Sequence, residues 1–129
     1  MKKTPDPHPA IRTIVFPRDM NASGAMFGGA LAALVDQAGF IEAKRQSPSH
    51  RYVAASLQCD FSSPIHLGYE LALWATTENI GRTSIRISVN VVVVTTPQSD
   101  AIFTAARGTV VLVAVDGDGK PVPVLEEEQ

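Results

Sequence analysis

Between Met20 and Ile41 the chain carries a single charged side chain, Asp36, and this run limits its possible folds more than any other feature. Its length would suit a membrane span. A carboxylate and the neighbouring Gln37 well inside it oppose that, because an acid at mid-membrane costs roughly 2.5–3.5 kcal/mol. The run is also rich in Gly and Ala rather than Leu. A buried helix over about Ala25 to Arg45 fits better, with Phe27, Leu31, Leu34, Ala38 and Ile41 along one stripe. Gly28, Gly29, Ala30, Ala32, Ala33 and Gly39 fill much of the remainder. A helix apolar on every side must be wrapped by something else. Lys44 and Arg45 suit its C-terminal dipole, and Ser47-Pro48 should end it.

Beyond the helix the period changes to two. Tyr52 to Phe61, Glu70 to Asn79, Arg82 to Thr95 and Ala101 to Val115 are rich in β-branched residues and are separated by Pro and Gly. Ile11 to Phe16 suggests a further strand, stopped by Pro17. In the stretch after Arg82, Ile85, Ile87, Val89, Val91 and Val93 should face a core, while Ser84, Arg86, Ser88 and Asn90 face water. Long strands with short connections predict an antiparallel meander. With one helix the fold class is α+β, a curved antiparallel sheet wrapped around a long central helix. At 129 residues the chain predicts one domain over 1–129. Residues 1–10 should form an extended arm, since three prolines and an aspartate after Met1-Lys2-Lys3 cannot make a secretory signal. Glu126, Glu127 and Glu128 fall in a tail, 125–129, expected to fray.

Composition removes several chemistries. A net charge of −2, a pI near 5.8 and a mean hydropathy of +0.09 leave no footprint for nucleic acid and none for a membrane surface. The lone Cys59 excludes an internal disulfide, suits a cytoplasmic setting, and reads as a packed thiol rather than a nucleophile. His8, His50 and His66 lack metal spacing and read as surface or capping residues, so no metal is expected. Asp116-Gly117-Asp118-Gly119-Lys120-Pro121 resembles a calcium loop only superficially, because Lys120 and Pro121 occupy its fifth and sixth positions. It reads as a hairpin turn leading into an extended Lys120–Val124. No serine sits in a nucleophile elbow, and the glycines match neither a dinucleotide fingerprint nor a phosphate loop.

Asp36 is left. A solitary acid in an apolar helix needs donors for its ionised form or carries a raised pKa, and either suits a base or nucleophile. The alternative is a structural carboxylate at the sheet or at a subunit contact. Phe27-Gly28-Gly29 at the helix start leaves amide N–H groups open to an approaching oxyanion. Close packing of helix on sheet would equally explain the paired glycines.

Asn21-Ala22-Ser23-Gly24-Ala25-Met26-Phe27-Gly28-Gly29, followed seven residues after Gly29 by Asp36, resembles the signature of hot-dog-fold acyl-CoA thioesterases. Asp60-Phe61-Ser62-Ser63-Pro64-Ile65 with Gly68 resembles the family's second sheet segment, and Gly81-Arg82-Thr83-Ser84 its coenzyme-side turn. Val113-Ala114-Val115-Asp116 with Gly119-Lys120-Pro121 is similar to its last strand and exit, so the likeness covers about Arg12 to Val124. The resemblance implies hydrolysis of an acyl-CoA thioester to free acid and CoA without a cofactor. Asp36 would be general base or nucleophile, Asn21 would position water or carbonyl, and Gly28 or Gly29 would supply the oxyanion-stabilising N–H. Phe27, Ser63, Gly81, Arg82, Thr83 and Ser84 would touch substrate, with Arg82 foremost for a CoA phosphate and Lys44, Arg45 and Arg107 behind it.

Gly28 and Asp36 are eight residues apart, ~12 Å along one helix, too far for both to reach one thioester carbon. A site using both therefore draws on two chains, so at least a homodimer is expected, and the resemblance implies its assembly to a tetramer or hexamer. Two other functions share the scaffold. A hot-dog dehydratase depends on a catalytic histidine in the helix segment, where His50 and His66 do not lie. A non-catalytic acyl-CoA sensor would dispense with Asp36 and Asn21.

Overall fold

The computed structural model describes residues 2–125, and the expected Glu126–Glu128 fray lies outside them. Five strands and one helix form: β1 (Ile11–Ile14), α1 (Gly28–Gln46), β2 (Arg51–Phe61), β3 (Glu70–Ile80), β4 (Ser84–Thr95) and β5 (Phe103–Val115), with a single 3-10 turn at Pro17–Asp19. All pairings are antiparallel and the sheet order is β1-β3-β4-β5-β2. The α+β class and the curled sheet around one helix are as expected.

The simple meander is corrected. β3, β4 and β5 follow one another, but β2 pairs with β5 at the far edge. The cause lies in residues 62–69, whose backbone bonds run to β5, to the approach to α1 and to the exit of β1. Ser62 N and Ser63 N donate to Ala105 O, Met26 N donates to Ile65 O, and Gly68 N donates to Val15 O. The segment thus crosses the end of the helix instead of closing a tight hairpin.

The β4 alternation is as read from sequence: Ile85, Ile87, Val89, Val91 and Val93 are fully buried. They meet Leu31, Val35, Ala38 and Ala43 of α1, together with Leu71, Leu73, Val110 and Leu112. Two glycines permit this approach. A Cβ on Gly39 would stand 2.9 Å from Val110, and one on Gly108 would stand 2.5 Å from Val35.

Three expectations about α1 need correction. It starts at Gly28, not Ala25, because Ala25 and Met26 are held extended: Asn21 N donates to Ala25 O, and Met20 bridges Met26. Its buried stripe is Leu31, Val35, Ala38, Gly39, Glu42, Ala43 and Gln46, while Phe27 and Ile41 of the expected stripe are exposed. The helix is therefore wrapped on one side only. Phe27, Phe40 and Ile41 emerge on the other, beside the open inner face of β2 at Leu57 and Phe61.

The N-terminal arm is tied down. Lys3 N donates to Gln46 Oε1, Lys3 Nζ to Arg45 O, and the Arg45 guanidinium to Thr4 O. At the other end Val122 N donates to Ala114 O and Val124 N to Arg82 O, and Val124 is fully buried. The Asp116 turn is closed by its own carboxylate, which accepts from Asp118 N and Lys120 N.

Candidate active site

The helix start is built by three loops. Phe27 occupies the N-cap position and has no side-chain oxygen to offer, so the amides of Gly28, Gly29 and Ala30 have no acceptor among the described residues. Phe27's own N–H donates to Asp19 O at 2.8 Å, which fixes the angle at which the helix enters. Beside these amides lies a cleft of about 330 Å³, lined by Ala25, Met26, Gly28, Leu31, Phe61, Ser62, Ser63, Pro64 and Ile65. A Cβ at Gly28 would touch the Phe61 ring at 3.4 Å, whereas one at Gly29 would meet open space. Neither glycine is forced by helix-to-sheet packing, which was the alternative account of the pair.

Asn21 stands one step behind the cleft. Its Oδ1 accepts from Ser23 N at 2.9 Å and Ala25 N at 3.2 Å, so its oxygen is committed to the loop and its amide Nδ2 is the group left to donate outward. Gly24 closes the loop at φ +82°, a conformation that favours glycine.

Asp36 lies elsewhere. It opens into a second cleft, of about 420 Å³, with Gln37, Phe40, Ile41, Tyr52, Ala54 and Leu112. The expected buried carboxylate is only half-buried within one chain, and Asp36 has no hydrogen-bond partner among the described residues. Its helix face is the one the sheet leaves uncovered.

The Gly81–Ser84 turn belongs to the Asp36 end of the sheet, since Ser84 pairs with Val113 and Ile85 with Leu112. Gly81 N donates to Ser84 O across the turn, and the Arg82 side chain is exposed. Lys44 and Arg45 are already engaged: Lys44 Nζ donates to Pro48 O and His50 O, and Arg45 binds Glu42. Within one chain, therefore, Asn21, Phe27, Gly28, Gly29 and Ser63 gather at one end, and Asp36 and the Gly81–Ser84 turn at the other.

Burial, and secondarily the charge of Asp60, push the Cys59 thiol up, in keeping with a packed role. Two features went unseen in the sequence. Buried Glu42, Gln46 and Thr77 form a polar cluster with the half-buried Arg45, which the i, i+3 and i, i+4 spacing of Glu42, Arg45 and Gln46 could have signalled. His66 Nδ1 lies 2.8 Å from Gly24 O, a tie across 42 residues that no local pattern announces.

The chain and its fold are similar to known proteins. Residues 23–98 match the Thioesterase superfamily. A hexameric hotdog fold thioesterase of Campylobacter jejuni superposes with a TM-score of 0.83 at 30% identity, over 92% of this chain and 90% of that one. The chain belongs to the thioesterase superfamily and is a thioester hydrolase of the hot-dog fold.

Its relatives narrow the class. An uncharacterised acyl-CoA thioester hydrolase of Zymomonas mobilis is 36% identical over 125 residues, covering 95% of this chain and 83% of the relative. The acyl-CoA thioester hydrolase YciA of Salmonella typhimurium is 32% identical over 126 residues, covering 96% and 95%.

Proposed function

We propose that the protein hydrolyses acyl-CoA thioesters to a free carboxylic acid and CoA, at sites formed where the helix start of one chain meets Asp36 of another. One observation carries this reading: a single helix presents amides at its start and a carboxylate two turns later, all without partners among the described residues and opening into separate clefts. Neither half is a hydrolase alone. Two antiparallel helices, related by a twofold axis and joined through the exposed apolar face of Phe27, Phe40, Ile41, Leu57 and Phe61, would bring the start of each beside the middle of the other. The naming of its relatives as acyl-CoA thioester hydrolases supports the substrate class, and the hexamer of the Campylobacter neighbour supports a homo-oligomer that could be built from such pairs.

In that site the thioester carbonyl accepts from the Gly28 or Gly29 N–H at the positive end of the helix. Asp36 of the other chain either deprotonates a water that attacks the carbonyl carbon or attacks it directly, giving an anhydride that water then cleaves. The oxyanion intermediate collapses, the C–S bond breaks, and the CoA thiolate leaves and takes up a proton. Asn21 Nδ2 donates to the water or the carbonyl. Phe27 and Ser63 border the acyl group. Arg82, with Gly81, Thr83 and Ser84, faces the CoA phosphates from the Asp36 side, as a guanidinium with no carboxylate partner among the described residues can. No step needs a metal or cofactor.

Free-thiol release from a panel of acyl-CoAs tests this. The wild-type chain should turn over, and Asp36→Ala should lose at least ~100-fold. An unchanged rate in the variant would remove Asp36 from the mechanism. Binding of CoA by the wild type without thiol release would instead favour a sensor.

A further inference from the structure

Asn21 can offer Nδ2 to substrate only if its oxygen is held, and one of the two amides that hold it is Ala25 N–H. That N–H belongs to the Gly24–Ala25 peptide. In a trans peptide the C=O and N–H point in opposite directions, so fixing one fixes the other. The Gly24 carbonyl end of this peptide is gripped by His66 Nδ1 at 2.8 Å. A carbonyl only accepts, so Nδ1 bears the hydrogen and donates it.

The imidazole is itself located. Its ring meets Tyr69 edge-on, with centroids 5.5 Å apart at 83°, and Tyr69 N donates to His66 O. Gly24 is the loop's least restrained residue: it has no side chain, its φ is +82°, and no heavy atom lies within 4 Å of where a Cβ would stand. With no Cβ, Gly24 leaves its peptide the widest choice of orientation in the loop, and the grip of His66 on the carbonyl restricts that choice.

The loop's placement does not depend on this bond. Asn21 N to Ala25 O at 2.8 Å, Gly24 N to Asn21 O at 3.2 Å and Met26 N to Ile65 O at 2.7 Å hold it to itself and to the 62–66 segment. What His66 adds is the orientation of one peptide.

We infer that His66 is a positioning residue: by holding the Gly24 carbonyl it aims Ala25 N–H at Asn21 Oδ1 and so keeps the Asn21 amide turned toward substrate. This rests on the proposed role of Asn21, and the test separates the two.

Steady-state thioester hydrolysis is measured for Asn21→Ala, His66→Leu, His66→Asn and the double variant Asn21→Ala/His66→Leu, with melting curves for each. His66→Leu should lower kcat about tenfold with KM within about twofold, the pattern of a lost transition-state interaction. His66→Asn, whose amide nitrogen stands about where Nδ1 does, should recover most of that loss. The double variant should be no slower than Asn21→Ala, because a residue acting only through Asn21 has nothing left to orient. If His66→Leu melts below the assay temperature, His66→Gln, with its amide one bond further out, takes its place with the same expected outcomes.

Wild-type kcat in His66→Leu beside a slow Asn21→Ala overturns the inference and leaves the reading of Asn21 standing. Failure of His66→Asn to recover activity, or losses that multiply in the double variant, also overturns it. A fully active Asn21→Ala removes the role of Asn21 and this inference together.

Discussion

Glu42 carries a carboxylate into the interior, with 3% of its surface exposed, in a helix that otherwise buries apolar groups and one amide, Gln46. Burial pushes its carboxyl up, but hydrogen bonds from Arg45, Thr77 and Gln46, with the Arg45 charge, outweigh that and leave it below its ordinary value of 4.5. Thr77 Oγ1 lies 2.7 Å from Oε2, and Arg45 Nε lies 2.7 Å from Oε1. A carboxyl depressed in the folded chain contributes stability that is fully present above the unfolded value and is lost as pH falls through the folded one. Acid titration of the melting temperature should therefore decline from about pH 4.5 downward in the wild type. Glu42→Gln should cost about 1–3 kcal/mol at neutral pH and flatten that decline. An equally steep acid limb in the variant would assign it to other carboxylates.

At the scale of elements, the separation between α1 and the sheet is set by what is missing from Gly39 and Gly108. An added methyl at Gly39 would fall within 2.9 Å of Val110, a β-branched residue fixed in the strand between β4 and β2. Ala is the better helix former by about 1 kcal/mol, which would raise stability at an open position. Here the clash should win, and Gly39→Ala should lower stability by about 1–3 kcal/mol in chemical denaturation. Gly108→Ala should do at least as much, since a Cβ there meets Val35 at 2.5 Å and the Gln58 carbonyl at 3.2 Å. A variant as stable as the wild type would mean that the two layers can slide apart freely.

For the whole molecule, the question is what covers the second face of the helix. Phe27, Phe40, Ile41, Leu57 and Phe61 are each 42–55% exposed and lie beside the unpaired edge of β2. Such an edge and patch are a hazard in an isolated chain and an interface in an assembly. A charge at this face should separate the chains. Leu57→Asp is expected to sediment as a smaller species than the wild type and, if each site draws on two chains as proposed, to lose thioester turnover with it. A dissociated variant that kept full turnover would place the whole site within one chain.

The periods of the sequence determined the class of structure by themselves. Ile85 through Val93 declare a strand with one buried face, and the nearly uncharged run around Asp36 declares a helix with apolar surface to bury, because both patterns are local consequences of backbone geometry. The spacing of Gly28 and Asp36 likewise showed that one chain could not complete a site with both, since helical rise is the same in any surroundings. What local pattern could not express, tertiary structure decided. The 62–69 crossover sent β2 to the sheet edge, close packing on β5 rolled the helix so that Val35 and Gly39 face inward and Ile41 outward, and Asp36 came to stand half-open. His66 met Gly24 across 42 residues by the same crossover. Such outcomes depend on which surfaces meet once the chain closes, and that is fixed by the volumes and hydrogen bonds of distant residues rather than by any neighbour in the sequence.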